Sequence, residues 1–310
     1  MTGKEEFYYD SSDNKTKIHA IRWIPKGNVK AVLQIAHGML EHMERYDDFA
    51  TSLASSGILV TGNDHLGHGL SVHTEEDRGY FSAKDGNTAV VEDMHKLRKL
   101  TEEKFKGVPY FMLGHSMGSF LLRQYITTHD RLSGAIIVGT GHQPYVLVKA
   151  GMAVSRAIAT VKGWRHRSLF VNNLAIGSYN KSFEPSRTSV DWLTKEDSIV
   201  DEYLADDKIN FIFTLNAYYN MFKGMTYLYD RKKLEKIPKD LPVIFLSGAG
   251  DPVGNFGKDV PKLCNQFKAL GVKDVDFRLY ENDRHEIINE TDREEVHRHI
   301  AKWIEHRISE

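Results

Sequence analysis

Val108-Pro-Tyr-Phe-Met-Leu-Gly114-His-Ser116-Met-Gly118 is the stretch on which the reading of the fold turns. The apolar run from Val108 to Leu113 reads as a fully buried strand. A helical pattern begins directly behind it, with Phe120, Leu121, Tyr125 and Ile126 at helix spacing. Between the two stands Gly114-x-Ser116-x-Gly118. So sharp a turn from strand into helix forces its central residue into a strained backbone conformation. Small residues two positions to either side let the neighbouring backbone pass. The hydroxyl of Ser116 is then held clear of the sheet edge, beside the amides of a helix N-terminus. A Gly-x-Ser-x-Gly pattern alone is a common accident of composition; a buried strand before it and a helix after it give it meaning.

The pattern on both sides repeats that rhythm. Residues 1–30 read as a polar β-hairpin, Glu5 to Tyr9 and Lys17 to Trp23 about a turn at residues 11–14, with Ile18, Ala20 and Arg22 alternating against His19 and Ile21. Ala31 to Ala36 is a buried strand running into His37-Gly38-Met39. A helix from Glu44 to Ser56 follows, closed by Gly57. Ile58 to Thr61 is the next strand, and Val90, Met94, Leu97 and Thr101 mark a second helix. Gly134 to Val138 continues the series beyond Ser116. After Gly141 the strand signal stops, and residues 143–236 are helical in pattern and rich in aromatics. The rhythm returns with a strand at Pro242–Ser247, a helix at Lys258–Leu270, a strand at Val275–Tyr280 and a last helix from Thr291 to Ile308. This alternation predicts an α/β fold: a mostly parallel sheet covered on both faces, formed by residues 1–142 and 237–310. The helical block 143–236 is expected as a cap over the strand ends.

Composition narrows the chemistry. A chain of 310 residues with 41% hydrophobic and 27% charged residues is ordinary for a soluble globular protein. A formal net charge of −1 supplies no field to attract a nucleic acid. Cys264 stands alone, so no internal disulfide forms, and no run of 18 apolar residues is present. With no apolar N-terminal segment, the expected location is cytoplasmic.

A serine hydroxyl is a poor nucleophile until a base takes its proton, and the base needs a carboxylate to fix its tautomer. Both belong on loops at the strand ends that carry Ser116. Strand Pro242–Ser247 empties into Gly248-Ala-Gly-Asp251-Pro252, and the next strand into Glu281-Asn-Asp-Arg-His285-Glu286. Asp251 and His285 therefore occupy consecutive post-strand loops in the order Ser, Asp, His. Each has a plainer role available, a turn residue for Asp251 and a surface or capping histidine for His285. Asp283 is too near His285 in sequence to orient it easily. Oxyanion donors are expected from the backbone amides of Met117, after the nucleophile, and Met39, with Gly38 allowing the turn that aims the latter.

These motifs resemble the α/β-hydrolase superfamily, and within it the monoacylglycerol lipase / lysophospholipase (serine aminopeptidase S33-type) branch. The resemblance rests on Gly114-His115-Ser116-Met-Gly118, on His37-Gly38-Met39-Leu-Glu41-His42 followed by Arg45-Tyr46, and on Asp64-His-Leu-Gly67-His68-Gly69-Leu-Ser71. It implies Ser116 as nucleophile, Asp251 and His285 as its partners, and Met39 and Met117 as oxyanion donors. It also implies a small acyl ester, a monoglyceride or a lysophospholipid, as substrate, with no cofactor. His37, Gly38, Gly114, His115 and Gly118 are expected to support the site.

The remaining signals have blander readings. His37, His42, Asp64, His65, His68 and His73 lack the spacing of a metal site, and loop-bracing hydrogen bonds are expected of them instead. Ile209 to Phe222 is apolar nearly all round and is expected as a buried helix. Val146 to Val161 carries a narrow polar stripe of Lys149, Arg156 and Thr160. Packing inside the cap is the preferred reading, and a face touching a membrane or micelle at the pocket mouth the alternative. Two rivals to an esterase are a peptidase or acyltransferase on the same scaffold, with cap acids Glu184, Asp191, Glu196, Asp197, Glu202, Asp206 and Asp207 available to hold an amine, and a receptor that binds without turnover.

Overall fold

The computed structural model describes residues 3–308. Eight strands form one sheet: β1 (Gly3–Asp10), β2 (Lys17–Ile24), β3 (Ala31–Ala36), β4 (Ile58–Asn63), β5 (Tyr110–His115), β6 (Gly134–Val138), β7 (Val243–Gly248) and β8 (Val275–Tyr280). The spatial order is β1-β2-β4-β3-β5-β6-β7-β8. The β1/β2 and β2/β4 pairs are antiparallel, and every pair from β4 to β8 is parallel. The helices are α1 (Asp47–Ser55), α2 (Gly86–Lys104), α3 (Met117–Tyr125), α4 (Tyr145–Lys162), α5 (Leu169–Ala175), α6 (Asp197–Ala205), α7 (Leu215–Tyr227), α8 (Arg231–Leu234), α9 (Asp259–Ala269) and α10 (Arg293–Ile308).

The central strands are buried at every position because each face of the sheet meets its own core. Tyr110 and Met112 of β5, with Val243 and Phe245 of β7, face a core shared with α2, α3 and α9. The intervening Phe111, Leu113, Ile244 and Leu246 face the opposite core, closed by α1 and α10. The two-residue period of a strand thus serves two hydrophobic layers at once.

Three expectations need correction. The second hairpin strand is not a polar surface strand: from Ile18 to Trp23 every residue of β2 is buried, because β2 lies between β1 and β4. Its polar residues carry partners inward, His19 meeting Asp64 at 2.9 Å and Arg22 lying 3.9 Å from the Phe7 ring. The strand before Ser116 runs Tyr110–His115, two residues later than the apolar run suggests; Pro109 has no N–H to give the ladder. The apolar stretch from Ile209 does not begin a helix. Helix α7 starts at Leu215, where the Thr214 hydroxyl accepts the Ala217 amide, and the Thr214 amide donates to the Gly79 carbonyl at 2.9 Å. Phe213 instead leaves the chain as a core aromatic, edge-on to Phe81.

Helix α4 satisfies neither reading of its sequence fully. Val148, Gly151, Ser155 and Ala159 form one buried stripe, with Gly151 against the Phe222 ring of α7. Outside the stripe, Val146 is 75% exposed, Leu147 61% and Val161 85%. No helix among the described residues is long and apolar enough to cross a membrane.

Candidate active site

Ser116 sits between β5 and α3 with φ 51° and ψ −118°, a region a side-chain-bearing residue enters at a cost of about 1–3 kcal/mol. Its amide donates to the Val138 carbonyl at 3.0 Å, and its carbonyl accepts the Ser119 amide at 2.9 Å. The flanking glycines are needed for closeness. A Cβ on Gly114 would lie 2.4 Å from the Gly118 carbonyl oxygen, and one on Gly118 1.9 Å from that of Ala36.

Asp251 follows β7 and is fully buried. Its Oδ1 accepts the Val253 amide at 2.8 Å and its Oδ2 the Ser247 hydroxyl at 3.3 Å. His285, after β8, brings Nδ1 to 2.9 Å from Asp251 Oδ1. The two atoms are in contact, although the ring N–H is not aligned on that oxygen. Asp283 turns away, its Oδ1 receiving the Lys195 ammonium at 3.3 Å. Ser116, His285, Met39 and Met117 all line one cavity of about 940 Å³. Met117 is the first residue of α3, so its amide has no partner within the helix. Val148, Met221, Phe222 and Met225 give the cavity an apolar wall, and Asn172, Asn180 and Thr188 a polar one.

Two buried polar groups flank the His37-Gly38 turn. In the first, the His65 amide donates to His37 Nε2 at 2.8 Å, leaving His37 Nδ1–H to donate to the Gly38 carbonyl at 2.8 Å. These bonds require a neutral ring. Burial, then the nearness of His65 and His68, pushes His37 well below the usual histidine range. Burial likewise brings His65 to about 3 and His68 to about 4. Among the described residues no group of three or more His, Cys, Asp or Glu side chains is placed to hold a metal ion.

The second group is charged. Glu41 Oε1 accepts the Gly38 amide, the Tyr46 hydroxyl at 2.9 Å and His115 Nδ1 at 3.1 Å. Arg45 donates to Glu41 Oε2 at 3.2 Å and forks onto Glu286 at 2.9 and 2.8 Å. Burial alone would raise the Glu41 carboxyl, but His115, Arg45 and the Gly38 amide outweigh it and bring the group to about 2. Burial also works against the His115 cation, and the Glu41 carboxylate overcomes it, so His115 titrates above its ordinary value. Glu41 thereby ties the His37-Gly38-Met39 turn to the residue before Ser116, and Arg45 ties both to the residue after His285. The roles of Arg45 and Glu286 escaped the sequence reading. The spacing of Glu41 and Arg45, one helical turn apart, is a signal that could have found the first; Glu286 offers only its place beside His285.

A family model described as "Serine aminopeptidase, S33" matches residues 27–292. The chain belongs to that family. Among its relatives, it is 27% identical to the monoglyceride lipase of Rattus norvegicus over 93% of this chain and 86% of that one. It is 25% identical to the monoacylglycerol lipase of Mycolicibacterium smegmatis over 91% and 90% of the two chains. A thermostable carboxyl esterase from Bacillus coagulans, solved in complex with glycerol, superposes with a TM-score of 0.91 at 28% identity, covering 99% of this chain and 100% of that one. The S33-family chain thus has the α/β-hydrolase fold, as its motifs suggest, and the matched span takes in Ser116, Asp251 and His285.

Proposed function

We propose that this S33-family chain is a carboxylic ester hydrolase of the monoglyceride-lipase type, working through Ser116, His285 and Asp251. What supports the reading is one juxtaposition. A serine held at φ 51° opens into a large, partly apolar cavity that also exposes an imidazole in contact with a buried carboxylate. The relatives named above and the glycerol-bound esterase agree with it. Residues 143–236 act as a cap on a core made by 1–142 and 237–310.

In this mechanism His285 Nε2 takes the proton of Ser116 as Oγ attacks the ester carbonyl. The oxyanion is held by the amides of Met39 and Met117. The imidazolium, paired with Asp251, gives its proton to the departing alcohol. Water enters, loses a proton to His285 and releases the acid from Ser116. The polar wall suits a glycerol or lysophospholipid head group and the apolar wall the acyl chain. The exposed face of α4, with Val146 and Leu147, suits transient contact with a membrane or micelle.

The peptidase alternative is less favoured, since of the seven cap acids available to hold an amine Glu184 alone lines the cavity. Asp191 accepts the Thr188 amide at 3.1 Å and Asp206 lies 2.6 Å from His42. Ser116→Ala is expected to abolish hydrolysis of p-nitrophenyl esters and labelling by a fluorophosphonate; full turnover in that variant defeats the proposal. A panel of monoglycerides, lysophospholipids and matched amides of graded chain length then identifies the substrate.

A further inference from the structure

The loop carrying His285 has little regular structure of its own, yet it is buried. It is held by a segment of the helical block, residues 191–195. The His285 amide donates to the Trp192 carbonyl at 3.4 Å and the Glu286 amide to that of Leu193 at 2.7 Å. Arg284 donates to the carbonyls of Asp191 and Thr194, and the Thr194 hydroxyl to that of Asn289 at 3.2 Å. The Lys195 amide donates to Glu290 at 3.2 Å and its ammonium to Asp283 at 3.3 Å.

This splint delivers one side chain to the imidazole itself. The Trp192 ring lies 4.9 Å from the His285 ring with the planes 37° apart. His115 stands 4.9 Å away on another side, and a Cβ at Gly139 would lie 3.1 Å from His285 Cε1. Behind Trp192, Tyr179 packs at 4.9 Å.

We propose that Trp192 is a positioning residue for catalysis: its indole walls the His285 ring and steadies the imidazolium that forms as Ser116 gives up its proton. This rests on the reading of Ser116, His285 and Asp251 as the reacting set. The attraction of a cation to an indole face exists only once the ring is charged, so it favours the transition state over the resting enzyme. The other groups facing His285 are accounted for. Asp251 meets Nδ1, and His115 is engaged by Glu41. On its own loop, Glu286 is taken by Arg45, Arg284 by carbonyls and Asp283 by Lys195. Tyr179 stays neutral, as burial and then Asp251 push its hydroxyl up to about 12.

The test is the pH dependence of kcat/KM on a short p-nitrophenyl ester for the wild type, Trp192→Phe and Trp192→Leu, normalised to sites titrated by a fluorophosphonate. The leucine variant is expected to lose roughly 2- to 30-fold in kcat/KM per titrated site. Its acid limb should move about 0.4 to 1.5 pH units lower, because the imidazolium of the free enzyme has lost a stabilising face. The phenylalanine variant should lie between the two. An acid limb that stays in place while only the titratable fraction falls overturns the proposal and leaves a packing residue. So does a phenylalanine variant no nearer the wild type than leucine. A wild-type protein that neither labels nor turns over esters would instead remove the underlying catalytic reading.

Discussion

The two buried polar groups on either side of Gly38 are both built from ionisable residues and handle charge in opposite ways. His37, His65 and His68 share a pocket with no carboxylate bonded to any of their rings. They are kept neutral, with the His37 and His65 rings 4.1 Å apart and tilted by 37°, and His68 edge-on to Phe213 at 5.2 Å. Glu41, Arg45, His115 and Glu286 are as deeply placed, but each charge has an opposite one within hydrogen-bond reach. A buried ionisable group either gives up its charge or acquires a counterion, since an unpaired ion in the interior is too costly. The loop motif His65-Leu-Gly-His68 braces; the charged group joins the turns at Gly38, Ser116 and His285.

The sharpest way to break this contrast is to remove the central cation. Arg45→Met leaves the Glu41 and Glu286 carboxylates buried with His115 as the cation remaining in the group. It should destabilise the protein by about 3–5 kcal/mol, measured by urea denaturation at neutral pH. A loss below 1 kcal/mol would mean that the group is not the paired cluster described.

Acid titration should separate the two groups by pH window. His65 and His68 have folded values of about 3 and 4 against an ordinary 6.5, so the unfolded chain binds protons first. Their contribution is present above 6.5 and is lost as pH falls toward 4 and 3. Glu41, at about 2 against an ordinary 4.5, obeys the same sign in a lower window: its contribution is present above 4.5 and lost toward 2. His115 runs the other way. Its folded value is raised, so its contribution is complete below 6.5 and lost as pH rises through that folded value. Stability measured from pH 3 to 9 should therefore fall on both sides, beginning near 6.5 on the acid side.

The smallest effect is expected at His68, which already sits among Phe81, Phe211 and Phe213. His68→Phe gives up one hydrogen bond to the Leu66 carbonyl and should cost less than about 1.5 kcal/mol. It should also flatten the acid-side loss between pH 6.5 and 4. A cost as large as that of Arg45→Met would erase the distinction between the two groups.

The parallel strands and the serine turn were legible in the sequence because their causes are local. An unbroken apolar run, a glycine on each side of Ser116 and a helical period behind it each act within about ten residues. Chain order further pointed to Asp251 and His285, since a parallel sheet brings its post-strand loops to one edge. The register of β5, the full burial of β2 and the late start of α7 depended on neighbours distant in sequence: Val32 for Pro109, β4 for β2, Gly79 for Thr214. The same reason hid Trp192 and Glu286. Trp192 reads as one more aromatic of the helical block until the chain folds residues 191–195 against the loop at 283–290. Sequence by itself settled which strands alternate with which helices and where the sharp serine turn stands. Tertiary structure alone decided which buried charges are answered and what presses on the imidazole, because those contacts bring together residues up to 241 positions apart.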